Sequence, residues 1–183
     1  SQLDKIYLSN LINYNKVVNQ RNKLLKELSF KSSEEKLETL DIWDLQLVKY
    51  GTEVMKRRVG FVQELNEIIG GLHEKLSGGT EKLMIEYQPC VEETTFLDTV
   101  TKMRERDLRM KSTCFGPHKD DLIFFINGSE VKKYGSQGQQ RTAALSLKLA
   151  EIELVKKVVK DTPVLLLDDV LSELDSTRQQ FLL

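Results

Sequence analysis

The chain has 183 residues, 40% hydrophobic and 30% charged, with 27 lysines and arginines against 28 acids for a net charge of −1. That length is enough to bury the core of one domain, or of one and a half. The charge balance excludes a general basic field drawing the chain to nucleic acid or membrane, and leaves open contact through a local patch or a partner chain.

The first third is helical. Tyr7, Leu11, Tyr14, Val18, Arg21, Leu25 and Leu28 alternate spacings of four and three, a heptad seam in which only Arg21 is polar, widened by Ile6, Ile12, Val17 and Leu24. This predicts a helix over residues 3–28. A polar stretch follows at 29–40, where Ser32 and Glu35 have capping-box spacing for a short helical piece. A second long helix is expected from near Asp41, with a seam of Leu45, Val48, Thr52, Met55, Val59, Val62, Asn66, Ile69, His73 and Leu76. It ends at Gly78-Gly79, a natural C-cap. Two such seams joined by a short link predict an antiparallel helical hairpin.

The period then changes. Residues 82–87 read as a strand. Residues 95–110 read as one helix with Phe96, Val100 and Met103 inward, and 122–126 as a buried strand. Asn127-Gly128 suits a type I′ turn into Glu130-Val131. Residues 137–160 read as a helix with Leu145, Leu149, Ile152, Val155 and Val159 on one face. Residues 163–167 form a continuous apolar strand of the kind found inside parallel sheets. The expected fold class is α+β, mostly α: a hairpin of two long helices plus part of a strand-containing head. The expected division is a helical arm at 1–112 and an incomplete head at 113–183.

Several classes are excluded. The longest clean apolar run, residues 164–167, is far too short to span a bilayer. The first residues have no basic leader followed by an apolar stretch. Cys90 and Cys114 form no CxxC, so a disulfide scaffold or zinc cluster is not expected, and a reducing cytoplasmic location is. Neither cysteine has a basic or metal-like neighbour at motif spacing. Both chain ends read as cuts in a longer protein.

Two stretches carry chemistry. Residues 164–169, Val-Leu-Leu-Leu-Asp-Asp, are an apolar strand ending in two carboxylates, at the strand end where α/β sheets place ligands. Asp168 suits Mg²⁺, directly or through water, and Asp169 suits orienting or deprotonating an attacking water. The plain alternative is a strand ending in a polar turn. Residues 134–141, Tyr-Gly-Ser-Gln-Gly-Gln-Gln-Arg, precede the long helix. Ser136 and Gln139 have capping-box spacing, Gly135 and Gly138 permit close approach, and a helix N-terminus favours an anion. The plain alternative is a polar helix cap.

Their order is informative: a signature-like loop, an amphipathic helix, a Walker B-like strand, then Leu171-Ser172-Glu173-Leu174-Asp175, which resembles a D-loop. This is the layout of an ABC-type ATPase head. Residues 76–80, Leu-Ser-Gly-Gly-Thr, spell most of an LSGG signature. They are expected at a helix end, where exposed carbonyls repel phosphate, and read as a C-cap. A GxxxxGK[ST] phosphate loop occurs nowhere in the chain.

The chain resembles the bacterial RecF family of recombination and repair ATPases, relatives of the SMC ATPases, along nearly its whole length. The resemblance is carried by Gln20-Arg21-Asn22-Lys23-Leu24-Leu25-Lys26, by Asp41-Ile42-Trp43-Asp44, by Gly116-Pro117-His118-Lys119-Asp120-Asp121-Leu122, and by residues 134–142 with Asp168-Asp169. The family position at Lys119 is commonly Arg. The resemblance implies a phosphate loop upstream of this chain and a switch histidine downstream. It implies ATP and Mg²⁺ as cofactors, with Asp168 on the metal and Asp169 positioning water. Ser136, Gln137, Gly138 and Gln139 would act in trans on the γ-phosphate, and Ser172, Leu174 and Asp175 would lie at the dimer seam. Where transporter-type relatives have Glu, this chain has Asp169, which implies weak hydrolysis. The implied partners are double-stranded and gapped DNA, RecR with RecO in loading the RecA recombinase, and a second copy in an ATP-dependent homodimer, with no membrane.

Two basic clusters are candidate DNA contacts: Lys56, Arg57 and Arg58 on the arm, and Arg104, Arg106 and Arg109 within residues 102–111. Glu105 and Arg109 also make a helical i,i+4 pair, so a solvated face is an equal alternative. His118, beside Pro117 and two aspartates, is expected to be structural rather than a nucleotide or DNA contact. His73 and Asn66 are expected as register residues on the seam, and Trp43 as core. The rival functions are a helical module docking RecR or another protein with no nucleotide role, and an SMC-type head.

Overall fold

The structure, a computed structural model, describes residues 4–30 and 33–159. Helix α1, Lys5–Phe30, starts on Asp4. The Asp4 carboxylate accepts the Tyr7 N–H at 2.8 Å and Arg57 Nε at 2.6 Å, and these two bonds, in that order, hold its carboxyl below the usual range. Helix α2, Glu34–Leu76, is a single helix of 43 residues. The short helical piece and the later helix expected from Asp41 are therefore one element. Residues 34–40 hold strong helix formers, with Leu37 and Leu40 at apolar spacing and no Gly or Pro to interrupt them. Its cap is Ser33, whose hydroxyl accepts the Lys36 N–H at 3.3 Å; Ser32 lies outside the described residues.

The chain forms two compact units: Ser1–Val59 with Gln88–Asp121, and Gly60–Tyr87 with Leu122–Leu183. This partition differs from a division at 112/113, since each unit draws on both sides of that point.

In the first unit, α1 pairs antiparallel with the start of α2. Glu27 meets Lys36, Arg21 meets Asp44, and Asp4 meets Arg57, so partners climb along α2 as they descend along α1. Tyr14, Val17, Arg21, Leu24, Leu25 and Leu28 are buried on α1, whereas Ile6 and Ile12 are exposed and do not widen the seam. On α2 the buried stripe runs through Leu40, Asp44, Leu47, Gly51 and Val54, leaving the expected seam residues Leu45 and Val59 exposed. The stripe is displaced because Asp44 pairs with Arg21 and Gly51 admits two aromatic rings. A Cβ at Gly51 would lie 2.6 Å from Phe96 Cε1 and 3.1 Å from Tyr14 Cε2.

The single helix expected over residues 95–110 is broken. A 3₁₀ turn at Glu93–Thr95 leads into α3, Phe96–Lys102, and α4, Arg104–Met110, with Met103 at φ −93°, ψ 8° between them. Thr101 bonds its hydroxyl back to Leu97 O at 2.9 Å, a contact that bends helices. Phe96 and Val100 are buried as expected, but Met103 is exposed and Asp107 points inward instead. Trp43 is half-buried against the apolar clusters of this unit.

The second unit contains most of a three-stranded sheet ordered β1 (Leu83–Gln88), β2 (Asp121–Ile126), β3 (Ser129–Glu130). β2 and β3 are antiparallel, with Phe125 opposite Glu130 and Ile126 opposite Ser129. Asn127 (φ 50°) and Gly128 (φ 80°) turn the hairpin with the two positive φ values that a type I′ turn requires. Val131 does not extend β3; it opens α5, Val131–Tyr134. β2 is largely half-exposed, with only Ile126 buried, so it is not the buried strand expected. Helix α6, Gln137–Val159, packs Ala143, Ala150 and Leu154 into a core with Val62, Leu65, Ile69, Leu83, Ile85, Ile126 and Val131. Asn66 bonds the Ile85 backbone twice, donating to its O at 2.7 Å and accepting its N–H at 2.8 Å, as a neighbouring strand would. No helix among the described residues is long and apolar enough to cross a membrane.

Candidate functional site

The turn from α5 into α6 is built by local rules. A Cβ at Gly135 would lie 2.5 Å from Val131 O, so only glycine fits where the chain leaves α5. Ser136 and Gln139 form a reciprocal capping box: the Gln139 N–H donates to Ser136 Oγ at 3.2 Å, and the Ser136 N–H donates to Gln139 Oε1 at 2.9 Å. Ser136, Gln137 and Gly138 are exposed. The first-turn N–H groups of Gln137 and Gly138 have no partner within a helix by construction. Ser136 Oγ uses a lone pair on Gln139, which leaves its O–H proton for another acceptor. Two amide donors and one hydroxyl thus lie exposed at the positive end of a 23-residue helix, an arrangement suited to a phosphate oxygen.

The other predicted nucleotide residues, Asp168, Asp169, Ser172, Leu174 and Asp175, lie outside the described residues, as do residues 163–167, expected from the sequence as a strand. Among the described residues no group of three or more His, Cys, Asp or Glu could hold a metal ion.

The LSGG look-alike is a helix end. Gly78 (φ 67°) follows α2, its N–H bonds Lys75 O, and the Gly79 N–H bonds Glu74 O at 2.8 Å, the paired bonds of a Schellman cap. Its glycines consume helix carbonyls and present no amides to an anion.

Most of the candidate DNA-contacting residues are engaged. Lys56 pairs with Glu93 at 3.1 Å, Arg57 with Asp4, and Arg58 with Asp120 at 3.2 Å and with Pro117 O. Arg104 reaches Asp44 at 2.6 Å and Asp41 at 2.5 Å. Arg106 lies over the Phe115 ring, and Arg109 is exposed on α4.

Sequence patterns missed a buried polar network in the first unit. Arg21, fully buried, donates from Nε to Asp44 at 2.6 Å and from Nη1 to Asp107 at 2.6 Å and Thr113 Oγ1 at 2.9 Å. Asn22 Oδ1 accepts both the N–H and the hydroxyl of Thr113, and Asp107 Oδ1 accepts the Cys114 N–H. The one signal for it was Arg21 itself, a lone polar residue in an apolar seam.

Next to it, His118 Nε2 lies 3.0 Å from Thr113 O and Nδ1 lies 2.6 Å from the Tyr14 hydroxyl. A carbonyl only accepts, so Nε2 carries the proton, and Nδ1 of the neutral ring accepts from Tyr14. Desolvation, with Lys119 adding to it, lowers His118 from its ordinary 6.5, and burial pushes the Tyr14 phenol up. The two thiols are also pushed up by desolvation, so both stay protonated and unreactive at neutral pH.

A pH dependence follows. Below pH 6.5 an unfolded His118 takes up a proton that the folded one refuses, so stability is full above that value and falls as pH drops toward the lowered one. His118→Gln, which keeps a donor and an acceptor but does not titrate, is expected to flatten the fall in unfolding midpoint between about pH 7 and 5. An unchanged slope would remove His118 as its cause.

No family model matches the chain. DNA replication and repair proteins RecF match it end to end: 63% identity over 183 residues in Lachnospira eligens, 60% over 182 in Lachnoclostridium phytofermentans, and 46% over 192 in Halalkalibacterium halodurans. The chain spans about half the length of these curated relatives. Two solved structures of the recombination mediator protein RecF in the RecFOR pathway, one with ATP and one designated RecF-ATPrS, superpose on 98% of the chain. Their TM-scores are 0.87 and 0.85, at 37% and 38% identity, and the match covers 50% of each. The fold is therefore that of part of an ABC-type ATPase, mostly helical with a small sheet. Within that class the chain is similar to RecF proteins over its whole length and about half of theirs.

Proposed function

We propose that this chain supplies the in-trans half of a composite ATP site in a RecF-type repair ATPase. The observation that carries this is the exposed, capped N-terminus of α6, where Ser136, Gln137 and Gly138 gather free donors at the positive end of a long helix. In the full-length protein a second copy would present the γ-phosphate of its own ATP to this turn. Nucleotide then joins the two copies, since neither alone satisfies both the phosphate and the donors. The ATP complexes of the related RecF structures support a nucleotide role. Asp168 would hold Mg²⁺, which neutralises phosphate charge, and Asp169 would orient water. The shorter Asp169 carboxylate reaches less far than a glutamate, consistent with slow turnover. Ser172, Leu174 and Asp175 would line the seam between copies. The dimer would act on double-stranded and gapped DNA and, with RecR and RecO, promote RecA loading. Arg106 and Arg109 are the basic candidates without a carboxylate partner among the described residues, and so are the first to test as phosphate contacts.

The test is ATP-dependent dimerisation of the full-length protein, followed by light scattering with and without ATP. Ser136→Arg fills the anion spot and is expected to abolish the dimer while ATP still binds each monomer. Asp169→Asn is expected to prolong the ATP-bound dimer. A Ser136→Arg protein that dimerises and turns over ATP normally would refute the in-trans role.

A further inference from the structure

The residue at the third position of the α6 capping box is Gln139, although glutamate serves that position equally and adds favourable charge at a helix N-terminus. The structure supplies a reason for the amide. Gln139 Oε1 accepts the Ser136 N–H, and its Nε2 donates to Glu81 Oε1 at 2.9 Å. The amide is pinned at both ends, and a carboxylate at 139 would face the carboxylate of Glu81.

Glu81 is itself held. Its Oε2 lies 3.1 Å from Nε2 of His73, which is fully buried and whose Nδ1 lies 2.9 Å from Ser146 Oγ, about two turns along α6 from Gln139. The Glu81 N–H donates to Ser77 Oγ at 3.2 Å, just past the glycine cap that ends α2. The segment after α2 is thus tied to α6 twice, once through His73 to Ser146 and once through Glu81 to Gln139. His73, expected as a register residue, links α2 to α6 in this chain.

We infer that Glu81 is a positioning residue for the phosphate-contacting turn. Held by His73, its carboxylate sets the orientation of the Gln139 amide. That amide fixes the Ser136 backbone and leaves the Ser136 hydroxyl proton and the first-turn amides aimed outward. Glu81 touches no nucleotide; it acts through Gln139. The inference rests on the in-trans phosphate role proposed above.

The test uses the full-length protein and four variants: Glu81→Ala, Glu81→Gln, Gln139→Glu, and the swap Glu81→Gln/Gln139→Glu. If Gln139 is only a cap, Gln139→Glu is neutral or better. If Glu81 positions it, Gln139→Glu opposes two carboxylates, and kcat for ATP falls roughly tenfold, about 1.4 kcal/mol, while KM changes less than about threefold. Glu81→Ala is expected to behave the same way. Glu81→Gln keeps an acceptor for Gln139 and is expected to stay near the parent. In the swap, an amide at 81 donates to the carboxylate at 139 and still offers its oxygen to His73, so kcat returns to within about threefold of the parent. Full activity of Gln139→Glu, or a swap no better than that single variant, overturns the inference. Should Gln139→Glu lower the unfolding midpoint, the Glu81→Ala and Glu81→Gln pair decides, and equal kcat in those two overturns it. Ser136→Arg separates the two levels. If it abolishes dimerisation while the position-81 and position-139 variants are neutral, only the positioning role fails. If it leaves dimerisation intact, the in-trans reading itself fails.

Discussion

Arg21→Ala is expected to destabilise the chain by about 3–5 kcal/mol, because it removes the cation from two buried carboxylates. Asp44 and Asp107 are 2% and 1% exposed, and each receives one bond of 2.6 Å from a different nitrogen of the same guanidinium. Alanine leaves both acids without that partner and Thr113 without its donor. Arg104, 2.6 Å from Asp44, still compensates one acid but is not placed against Asp107. Arg21→Lys restores the charge but not the fork: one ammonium does not reproduce bonds made from Nε and Nη1, so about half the loss is expected to remain. The network need not be worth much against an apolar replacement, since Arg21 Nη2 and Arg104 Nε are buried without a partner among the described residues. Arg21→Met combined with Asp44→Asn and Asp107→Asn is therefore expected to recover part of what Arg21→Ala loses. Urea denaturation of the three variants measures this. A loss below about 1 kcal/mol for Arg21→Ala would show that water or rearrangement compensates the acids.

The same residues show where the sequence was legible and where it was not. Local rules were readable: the Ser136/Gln139 capping box, the glycine cap after α2 and the Asn127-Gly128 turn each depend on residues within a few positions, and each formed. The α1 seam was readable through its apolar spacing, and Arg21 within it announced a buried partner without saying which. The stripe on α2 was not readable. It passes through Asp44 and Gly51, which no hydrophobic pattern selects, because the first answers Arg21 and the second makes room for Tyr14 and Phe96. Contacts from Arg21 to Asp107, Tyr14 to His118 and Glu81 to Gln139 join positions 58 to 104 residues apart, and periodicity carries no information at that range. Three of the stretches that carry the family resemblance, around Arg21-Asn22, Asp41-Asp44 and Pro117-His118, supply or adjoin this one network in the first unit. Those stretches thus have a packing role in this chain that is separate from nucleotide chemistry. Asp168 and Asp169 rest on motif order alone.

Gly116→Ala is expected to be the other severe substitution, at about 3 kcal/mol from two sources. Gly116 has φ 129° and ψ 175°, a conformation that residues with a Cβ essentially do not adopt. The added Cβ would also press on the Tyr14 hydroxyl and stand 3.2 Å from Phe96 Cζ. Gly51 faces the same two rings, so one pair of aromatics occupies the space that two glycines leave. Gly51→Ala is expected to cost less, because alanine regains about 1 kcal/mol of helix propensity that Gly116→Ala has no way to recover. The hydroxyl makes the contact separable. Tyr14→Phe removes the clashing oxygen together with the bond to His118 Nδ1, so Tyr14→Phe and Gly116→Ala share one interaction and are not additive. Their double variant is expected to lose at least about 0.5 kcal/mol less than the sum of the singles, and its stability to keep the backbone part of the Gly116 penalty. Strict additivity in that cycle would place the whole cost in the backbone at 116 and none in the approach to Tyr14.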